Sequence, residues 1–451
     1  MSLWTLPTAV RRSYPSRKLS VQAGLLSAVP YLPGYLGYCL FHLIAAPWLA
    51  LRGLLIARKR GYASALWRRL AGGAGPVQRG AALLVSAHMG ETRTAILAAE
   101  EMSGAQAYPV AVLTFVEAAC EIAKRQCPHL AIGYAPFNNP VSVLIALLRW
   151  RPRAVLFVEY CDLHHLVFWA RVLSIPTSVI NVRLSEQDTA KQSGRRGSLW
   201  RYRSMGHFAV QGEAQRQRLL ALGVEEKRIT VTGPSLSVPE LSTERQESIA
   251  EKWRNFAGLK HSSRPVIVAG STHPSDESMV LQAFQRFQRS HPDALLFLAP
   301  RAPQRTGGSD SILKKEALQF VRRSEVERRP EMVSIVLLDT LGELRELYSI
   351  ATASYIGGTV EPGLGGHTPT EALAWGGPLS IGPEFEAQRT LVDVLTEAGI
   401  LTVCHSADEL EANWRSAAES AALRESIRER SKQIVQRYSD IYARFMEEQN
   451  L

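Results

Sequence analysis

The chain alternates short apolar runs with helical segments, and this alternation is the feature that most limits its possible folds. In the first half the runs are "AALLVS", "AYPVAVLTF", "RAVLFVEY", "IPTSVINVRLS", "GHFAVQG" and "RITVTGP". Apolar strands that are bounded by turns and separated by helices are typical of a parallel sheet covered on both faces. The sequence therefore predicts an α/β fold.

The alternation occurs twice. A connector containing proline and serine lies at 234–263, and the runs "PVIVAGS", "DALLFLAPR", "VSIVLLD", "ASYIGG" and "GPLSIG" follow it. A chain of 451 residues exceeds what one core usually organises. We therefore expect two doubly wound domains, at 76–238 and 262–420, that face a central cleft at the carboxyl ends of their strands. A segment at 1–75 precedes them, and a charged amphipathic helix at 421–451 follows.

The net charge of +10 comes from the first 90 residues. They hold eleven Lys or Arg and no acidic residue, which leaves 41 basic against 42 acidic residues in the rest of the chain. This basic stretch surrounds the apolar run 35–51, and the combination favours an anionic membrane surface over nucleic acid. A short or tilted anchor and a helix lying in the interface are about equally supported, and a buried soluble element is the third alternative.

The five cysteines show no CxxC pattern, so the sequence predicts neither a disulfide framework nor a zinc site. The adjacent His164 and His165 are also a poor metal site, because neighbouring side chains point apart. Either of these histidines could instead contact phosphates of an acceptor. We expect a reducing cytosolic face, with no bound metal.

The segment "GGTVEPGLGGHTPTEALAW" from Gly357 onward is rich in glycine and leads into a predicted helix. We expect Thr368 to cap this helix and Glu371 to complete a capping box. That interpretation leaves the glycines before the helix unexplained. A nucleotide site is the alternative that we favour, because bare backbone lets a phosphate approach the helix N-terminus while a carboxylate binds ribose hydroxyls.

Eight segments stand in the order of landmarks of a known family: "SAHMGETRTAI", "INVRLS", "STHPSDES", "APRAPQR", "DTLGELRELY", "IGG", "GGHTPTEAL" and "IGP". From about residue 80 to 405 the chain resembles the 3-deoxy-D-manno-octulosonic acid (Kdo) transferases of lipopolysaccharide synthesis. The resemblance implies two Rossmann-like domains of the GT-B fold. It also implies transfer of Kdo from CMP-Kdo to a lipid A precursor, with inversion, on the cytoplasmic face of the bacterial inner membrane. No metal or cofactor besides the donor substrate is implied.

The resemblance assigns site residues. Glu91 in "GET" matches the family's essential glutamate and is the candidate base, which the helix dipole would keep ionised; a plain complement to that dipole is the alternative. The candidates for donor binding are Ser271, Thr272, His273, Arg301, Gly357, Gly358, Gly365, Gly366, His367, Thr368 and Glu371. Turn chemistry is the alternative for Ser271 and Thr272, and a surface position is the alternative for Arg301.

The candidates for acceptor binding are His88, Glu159, Arg183, Arg58, Lys59 and Arg60. A structural ion pair is an equal alternative for Arg183. The chain departs from the family's pattern mainly on this side: Cys161 stands in "EYCDLHH" where the family has a second glutamate, and "EFEAQ" follows the last landmark. Two other functions therefore stay open, a nucleotide-sugar epimerase and a non-catalytic scaffold that binds lipid or protein.

Overall fold

The computed structural model describes residues 17–40, 69, 75–105, 108–159, 163–194, 199–236, 242–259, 264–301 and 307–448. The chain divides into two compact units. Unit 1 comprises Met1–Ser237 and Tyr438–Leu451, and unit 2 comprises Val238–Arg437. Each unit is built around its own parallel sheet.

The sheet of unit 1 has the strand order β3-β2-β1-β4-β5-β6-β7 in the described part of the chain, and all neighbours are parallel. Its strands are β1 (Ala82–Ser86), β2 (Val110–Thr114), β3 (Ala131–Tyr134), β4 (Ala154–Val158), β5 (Thr177–Val182), β6 (His207–Val210) and β7 (Ile229–Val231). The chain runs outward in one direction from β1 to β3 and in the other from β4 to β7. The strand order therefore reverses between β1 and β4.

Helices cover both faces of this sheet, as continuous apolar strands require. They are α1 (Arg17–Ala28), α2 (Met89–Ala105), α3 (Glu117–Gln126), α4 (Pro140–Trp150), α5 (His164–Val172), α6 (Glu186–Ser193), α7 (Trp200–Ser204) and α8 (Glu213–Ala221). Every residue of β1, β2, β4 and β5 is buried. The core of unit 1 thus consists of two apolar layers with the sheet between them.

The sheet of unit 2 repeats this plan with the order β10-β11-β9-β8-β12-β13-β14, again entirely parallel. Its strands are β8 (Val266–Thr272), β9 (Leu295–Pro300), β10 (Phe320–Arg322), β11 (Ile335–Leu337), β12 (Ala353–Ile356), β13 (Leu379–Ile381) and β14 (Leu401–Val403). Here the order reverses between β8 and β12. Each reversal opens a crevice beyond the carboxyl ends of the strands, where open α/β sheets bind their ligands.

The helices that follow β7 are α9 (Thr243–Ala257), α10 (Pro274–Ser290), α11 (Gly307–Lys315), α12 (Leu344–Leu347), α13 (Thr370–Leu373), α14 (Arg389–Glu397), α15 (Ala407–Glu419) and α16 (Ala421–Glu448). Of these, α16 begins in unit 2, and its last residues belong to unit 1. There Phe445 joins the core layer that contains α2. The charged C-terminal helix predicted from the sequence is thus present.

The prediction of two doubly wound α/β units is confirmed, although the sequence missed three short strands. These are β3, β10 and β14, which are four, three and three residues long. Each lies at or next to an edge of its sheet, where fewer side chains need to be apolar. Such strands give a weak pattern because their apolar runs are short and are interrupted by glycine in β3, arginine in β10 and threonine in β14.

The N-terminal helical segment expected from the sequence is present in residues 17–40, which form α1, a 3₁₀ turn at Val29–Tyr31 and a further helical stretch at 32–40. Within the described residues, no helix combines the length and apolar character needed to cross a membrane. Positions 41–51 of the apolar run lie outside the described residues, as do Arg58, Lys59 and Arg60.

Candidate active site

Polar side chains of unit 1 gather where its strand order reverses. Glu91 lies in the first turn of α2, just after β1, and Glu159 follows β4 directly. Because β1 and β4 are neighbours in the sheet, residues that follow their carboxyl ends meet at one edge. The structure therefore places two carboxylates, 68 positions apart in the chain, in the same crevice.

The Glu91 carboxylate folds back on the loop that precedes its helix. Its Oε2 accepts hydrogen bonds from the backbone N–H of Ala87 at 2.5 Å and of His88 at 3.2 Å. The side chain is buried, and this desolvation, reinforced by the negative charge of Glu159, raises the pKa of Glu91. The two backbone N–H groups and His88 act in the opposite direction but do not prevail. We expected the helix N-terminus to keep Glu91 ionised; burial outweighs its effect on the pKa, and the ionised state of Glu91 stays a prediction.

Buried hydroxyl groups fix the start of α2 behind Glu91. Thr92 Oγ1 lies 2.9 Å from Ser86 Oγ and 2.9 Å from Thr114 Oγ1, so the ends of β1 and β2 are joined to the helix. The backbone N–H of Thr92 also donates to the carbonyl of His88 at 2.9 Å. The side chain of His88 is exposed on the same turn. These hydrogen bonds thus fix the first turn of α2, which contains Glu91, to the ends of β1 and β2.

Glu159 has polar contacts with three neighbours. Thr94 Oγ1 and Asn181 Nδ2 each donate to its Oε1 at 3.4 Å, and the guanidinium of Arg183 lies 3.7 Å from its Oε2. The ion pair that was one alternative for Arg183 is therefore present. Glu159 and Asn181 both have left-handed backbone, with φ of 61° and 55°. Non-glycine residues in this region cost free energy and cluster at functional sites.

Next to this crevice, His164 and His165 are buried beneath the N-terminal segment. The ring of Tyr38 stacks on His164 with centroids 3.9 Å apart, and the hydroxyl of Tyr35 lies 2.9 Å from His165 Nδ1. Arg201 lies 2.9 Å from His164 Nε2. Through these contacts both histidines take part in the packing of α5. Cys161 lies outside the described residues.

In unit 2, the candidate donor site lies at the corresponding reversal, between β8 and β12. His273 Nε2 and His367 Nε2 are 3.0 Å apart and their rings are stacked, so the N–H of one ring donates a hydrogen bond to the other ring. Burial, with the nearby charges of Arg301 and His273, lowers the pKa of His367 to about 4. His367 is therefore neutral near pH 7. The two rings can then lie in contact without repulsion between two positive charges.

The glycine-rich loop closes on itself between β12 and α13. The N–H of Gly366 donates to the carbonyl of Gly358 at 2.9 Å, and that of His367 donates to the carbonyl of Gly357 at 3.2 Å. A Cβ on Gly357 would stand 2.6 Å from the Cα of Thr272, and Gly358 has a φ of 74°. At these two positions, close packing against β8 and the left-handed backbone themselves require glycine.

The capping box expected at the start of α13 is wrong. The helix begins at Thr370, its N-cap position is Pro369, and no side chain caps it. Thr368 Oγ1 instead lies 3.1 Å from Thr370 Oγ1. Glu371 is in the first turn, but a helix of four residues contributes only a small dipole. This short helix therefore offers little to an anion, and the N–H groups of Gly366 and His367 already donate to carbonyls of the loop.

Asp276 is a residue of this site that the sequence interpretation missed. Its carboxylate is fully buried and accepts four hydrogen bonds, from the N–H of His273, Gly358 and Thr359 and from the hydroxyl of Tyr355, at 2.7–3.1 Å. It thereby joins the start of α10 to the glycine loop. The segment "STHPSD" contained a signal, because an acidic residue three positions after a helix cap marks a capping box, which His273 and Asp276 form.

The other candidates for donor binding lie near the start of α10 and the glycine loop. Ser271 has left-handed backbone with a φ of 55°, and Thr272 Oγ1 donates to the buried Glu277 at 3.1 Å. Arg301 follows β9, its N–H donates to the carbonyl of Thr272 at 2.9 Å, and its side chain is exposed. The loop residues Gly365 and Gly366 both have left-handed backbone. The structure thus gathers the candidates of unit 2 on the loops that follow β8, β9 and β12.

The fold defined by these two units is that of the GT-B glycosyltransferases. A glycosyltransferase from Rickettsia africae aligns with 82% of this chain and 98% of its own, with a TM-score of 0.56 and 12% identity. The UDP-GlcNAc 2-epimerase from Neisseria meningitidis aligns with 79% of this chain and 98% of its own, with a TM-score of 0.54 and 13% identity. At such identities the similarity shows the fold alone.

Sequence comparison shows which family the chain resembles. The family model described as 3-deoxy-D-manno-octulosonic-acid transferase (kdotransferase) matches residues 64–235. The 3-deoxy-D-manno-octulosonic acid transferase of Haemophilus influenzae is 28% identical over 288 residues, which are 62% of this chain and 64% of the relative. That of Bordetella pertussis is 30% identical, over 56% of this chain and 59% of the relative. These matches span less than two thirds of either relative. The resemblance to the Kdo transferase family is confirmed.

Proposed function

We propose that the protein is an inverting glycosyltransferase that moves Kdo, or a closely related ulosonic acid, from CMP-Kdo to a lipid A precursor. The observation that carries this proposal is the pair Glu91 and Glu159 at the strand reversal of unit 1, in a chain related to Kdo transferases. The proposed place of action is the cytoplasmic face of the bacterial inner membrane, and the reaction needs no metal or cofactor.

Glu91 is the proposed general base. Its raised pKa makes it a stronger proton acceptor than an ordinary glutamate, which brings its basicity closer to what proton transfer at neutral pH requires. Both backbone N–H bonds reach Oε2, so Oε1 is the oxygen that would take the proton of the acceptor hydroxyl. The Arg183–Glu159 pair beside it is suited to orient the acceptor.

The reaction would proceed in one displacement. The acceptor oxygen forms a bond to the anomeric carbon of Kdo while its proton passes to Glu91. The bond from that carbon to the CMP phosphate breaks, and the electron pair leaves with the phosphate. The imidazoles of His273 and His367 and the exposed Arg301 are the donors that would stabilise this departing charge.

The proposal is tested by incubating the full chain with CMP-Kdo and a lipid A precursor and following CMP release and lipid mass. The variant Glu91→Gln should lower kcat by about 10²–10⁴ without changing CMP affinity, since a general base contributes that much. Glu117→Gln is the matched control, because Glu117 also stands in the first turn of a helix that follows a strand, α3 after β2. It should leave kcat within about twofold of the parent.

Each alternative function has its own outcome. Interconversion of a nucleotide sugar without any acceptor would support an epimerase, since a UDP-GlcNAc 2-epimerase has a similar fold. A protein that binds CMP but releases none in the presence of both substrates would support a non-catalytic scaffold. A Glu91→Gln variant with the parent's kcat would exclude Glu91 as the base.

A further inference from the structure

The outer face of α4 is apolar, although it is not covered by any described element. Asn139 caps the helix by accepting from the N–H of Ser142 at 2.8 Å, and Val143, Ala146, Leu147 and Trp150 are buried against unit 1. On the opposite side, Val141, Ile145 and Leu148 are 65%, 42% and 52% exposed. Their spacing of four and three residues places them along one face, which we name the α4 stripe. A helix on the surface of a soluble domain normally carries polar residues there.

Arginines follow the α4 stripe directly. Arg149, Arg151 and Arg153 are all exposed, and the sequence contains no acidic residue from 122 to 158. The guanidinium of Arg153 lies 4.3 Å from the ring centroid of Tyr108, so the basic end of this surface is anchored on the domain. The surface therefore combines apolar side chains with exposed arginines.

A second apolar surface adjoins the elements that hold α4. Both α4 and α1 pack on α5, and Asn138, two residues before α4, donates from Nδ2 to the hydroxyl of Tyr38 at 3.3 Å. The segment 17–40 that contains Tyr38 also contains basic but no acidic residues. Its exposed apolar side chains are Leu25, Leu26, Val29, Leu32, Leu36 and Leu40. Unit 1 thus exposes apolar side chains on the N-terminal segment as well as on α4.

We propose that the α4 stripe, with Arg149 and Arg153 beside it, docks on the surface of an anionic lipid bilayer. This inference rests on the membrane location in the proposed function and adds to it a second contact, which belongs to the folded domain. Apolar side chains next to basic ones are what a helix lying in an interface needs, since the former enter the acyl boundary and the latter meet anionic headgroups. A second copy of the chain fits less well, because a two-fold interface would bring like-charged arginines together.

The test measures binding of the full chain to vesicles of phosphatidylcholine with and without phosphatidylglycerol. The triple variant V141S/I145S/L148S should lower the partition coefficient by about tenfold or more, because three apolar side chains no longer enter the bilayer. The double variant R149Q/R153Q should lower the partition coefficient about fivefold for each charge removed. This loss should occur on the vesicles with phosphatidylglycerol and not on those without it. Ile122→Ser on α3 is the matched control, because Ile122 is 46% exposed in the same unit; it should bind like the parent.

Two further measurements separate the possible failures. CMP release with a detergent-dispersed acceptor should be unchanged in both variants. A loss of transferase activity would count against the proposed function or against the folding of the variant. Circular dichroism checks the folding. Parent-like vesicle binding by the triple variant would overturn the proposal. A parent that forms dimers without lipid, together with a monomeric triple variant that binds vesicles normally, would assign the stripe to self-association and also overturn it.

Discussion

Removing the carboxylate of Asp276 should loosen the glycine loop from the rest of unit 2. The variant Asp276→Ala leaves four donors without their acceptor, three backbone N–H groups and the hydroxyl of Tyr355. The hydroxyl of Tyr355 keeps Thr359 Oγ1 as a partner at 3.0 Å, so at about 1 kcal/mol or more for each of the three N–H groups the free energy of unfolding falls by about 3 kcal/mol or more. In a unit of this size that lowers the Tm by about 10 °C.

Calorimetry of the full chain measures this loss, and hydrogen exchange reports where it occurs. The amides of Gly358 and Thr359 should exchange faster in Asp276→Ala, because their N–H groups lose their acceptor. Tyr355→Phe removes a single donor and should cost about 1 kcal/mol. Asp408→Ala is the control, since Asp408 is 81% exposed and pairs with Arg286 at the surface of the same unit; it should change stability by less than about 0.5 kcal/mol.

The reasoning would be refuted by an Asp276→Ala protein that melts within about 2 °C of the parent and exchanges these two amides no faster. Such a result would mean that packing of Gly357 against β8, and not the carboxylate, holds the loop. A large loss of stability with parent-like exchange at the loop would place the effect of Asp276 on the start of α10 instead.

Two predictions concern pH. Because the charge of Glu159 raises the pKa of Glu91, Glu159→Gln should move the acid limb of the kcat/KM profile to lower pH; a limb that stays in place would show that the two carboxylates are not coupled. The pKa of His367 is about 4 in the folded protein, below its unfolded value of about 6.5, so the unfolded chain binds more protons between these values. Stability should therefore fall as the pH drops from about 6.5 towards 4, and His367→Gln should flatten this dependence of Tm, whereas the exposed-site control His405→Gln should retain it.

Much of the framework could be predicted from the sequence because it depends on local rules. The apolar runs predict which segments are strands, and parallel strands place the residues that follow them at one edge of a sheet. This reasoning located Glu91 after β1 and the group around His273 after β8. It failed for β3, β10 and β14, whose runs are too short to give a clear pattern.

The raised pKa of Glu91 could not be predicted from its local sequence. The sequence gives its position in the first turn of a helix, and from this alone a lowered pKa follows. The raised pKa instead results from burial and from Glu159, which arrives from another strand. The capping box of Thr368 and Glu371 failed for a similar reason, since the closure of the glycine loop by Gly366 and His367 delays the helix to Thr370.

The two α/β units, the carboxyl ends of their strands and the basic, apolar N-terminal segment could be predicted from the sequence alone, because hydrophobic period, turn residues and charge are local properties. Only the tertiary structure paired His273 with His367, 94 residues away, and brought Asp276 to the N–H of Gly358, 82 residues away. Such contacts depend on which strands become neighbours in the sheet. The order of the strands depends on the packing of the whole unit, so it cannot be predicted from any local segment.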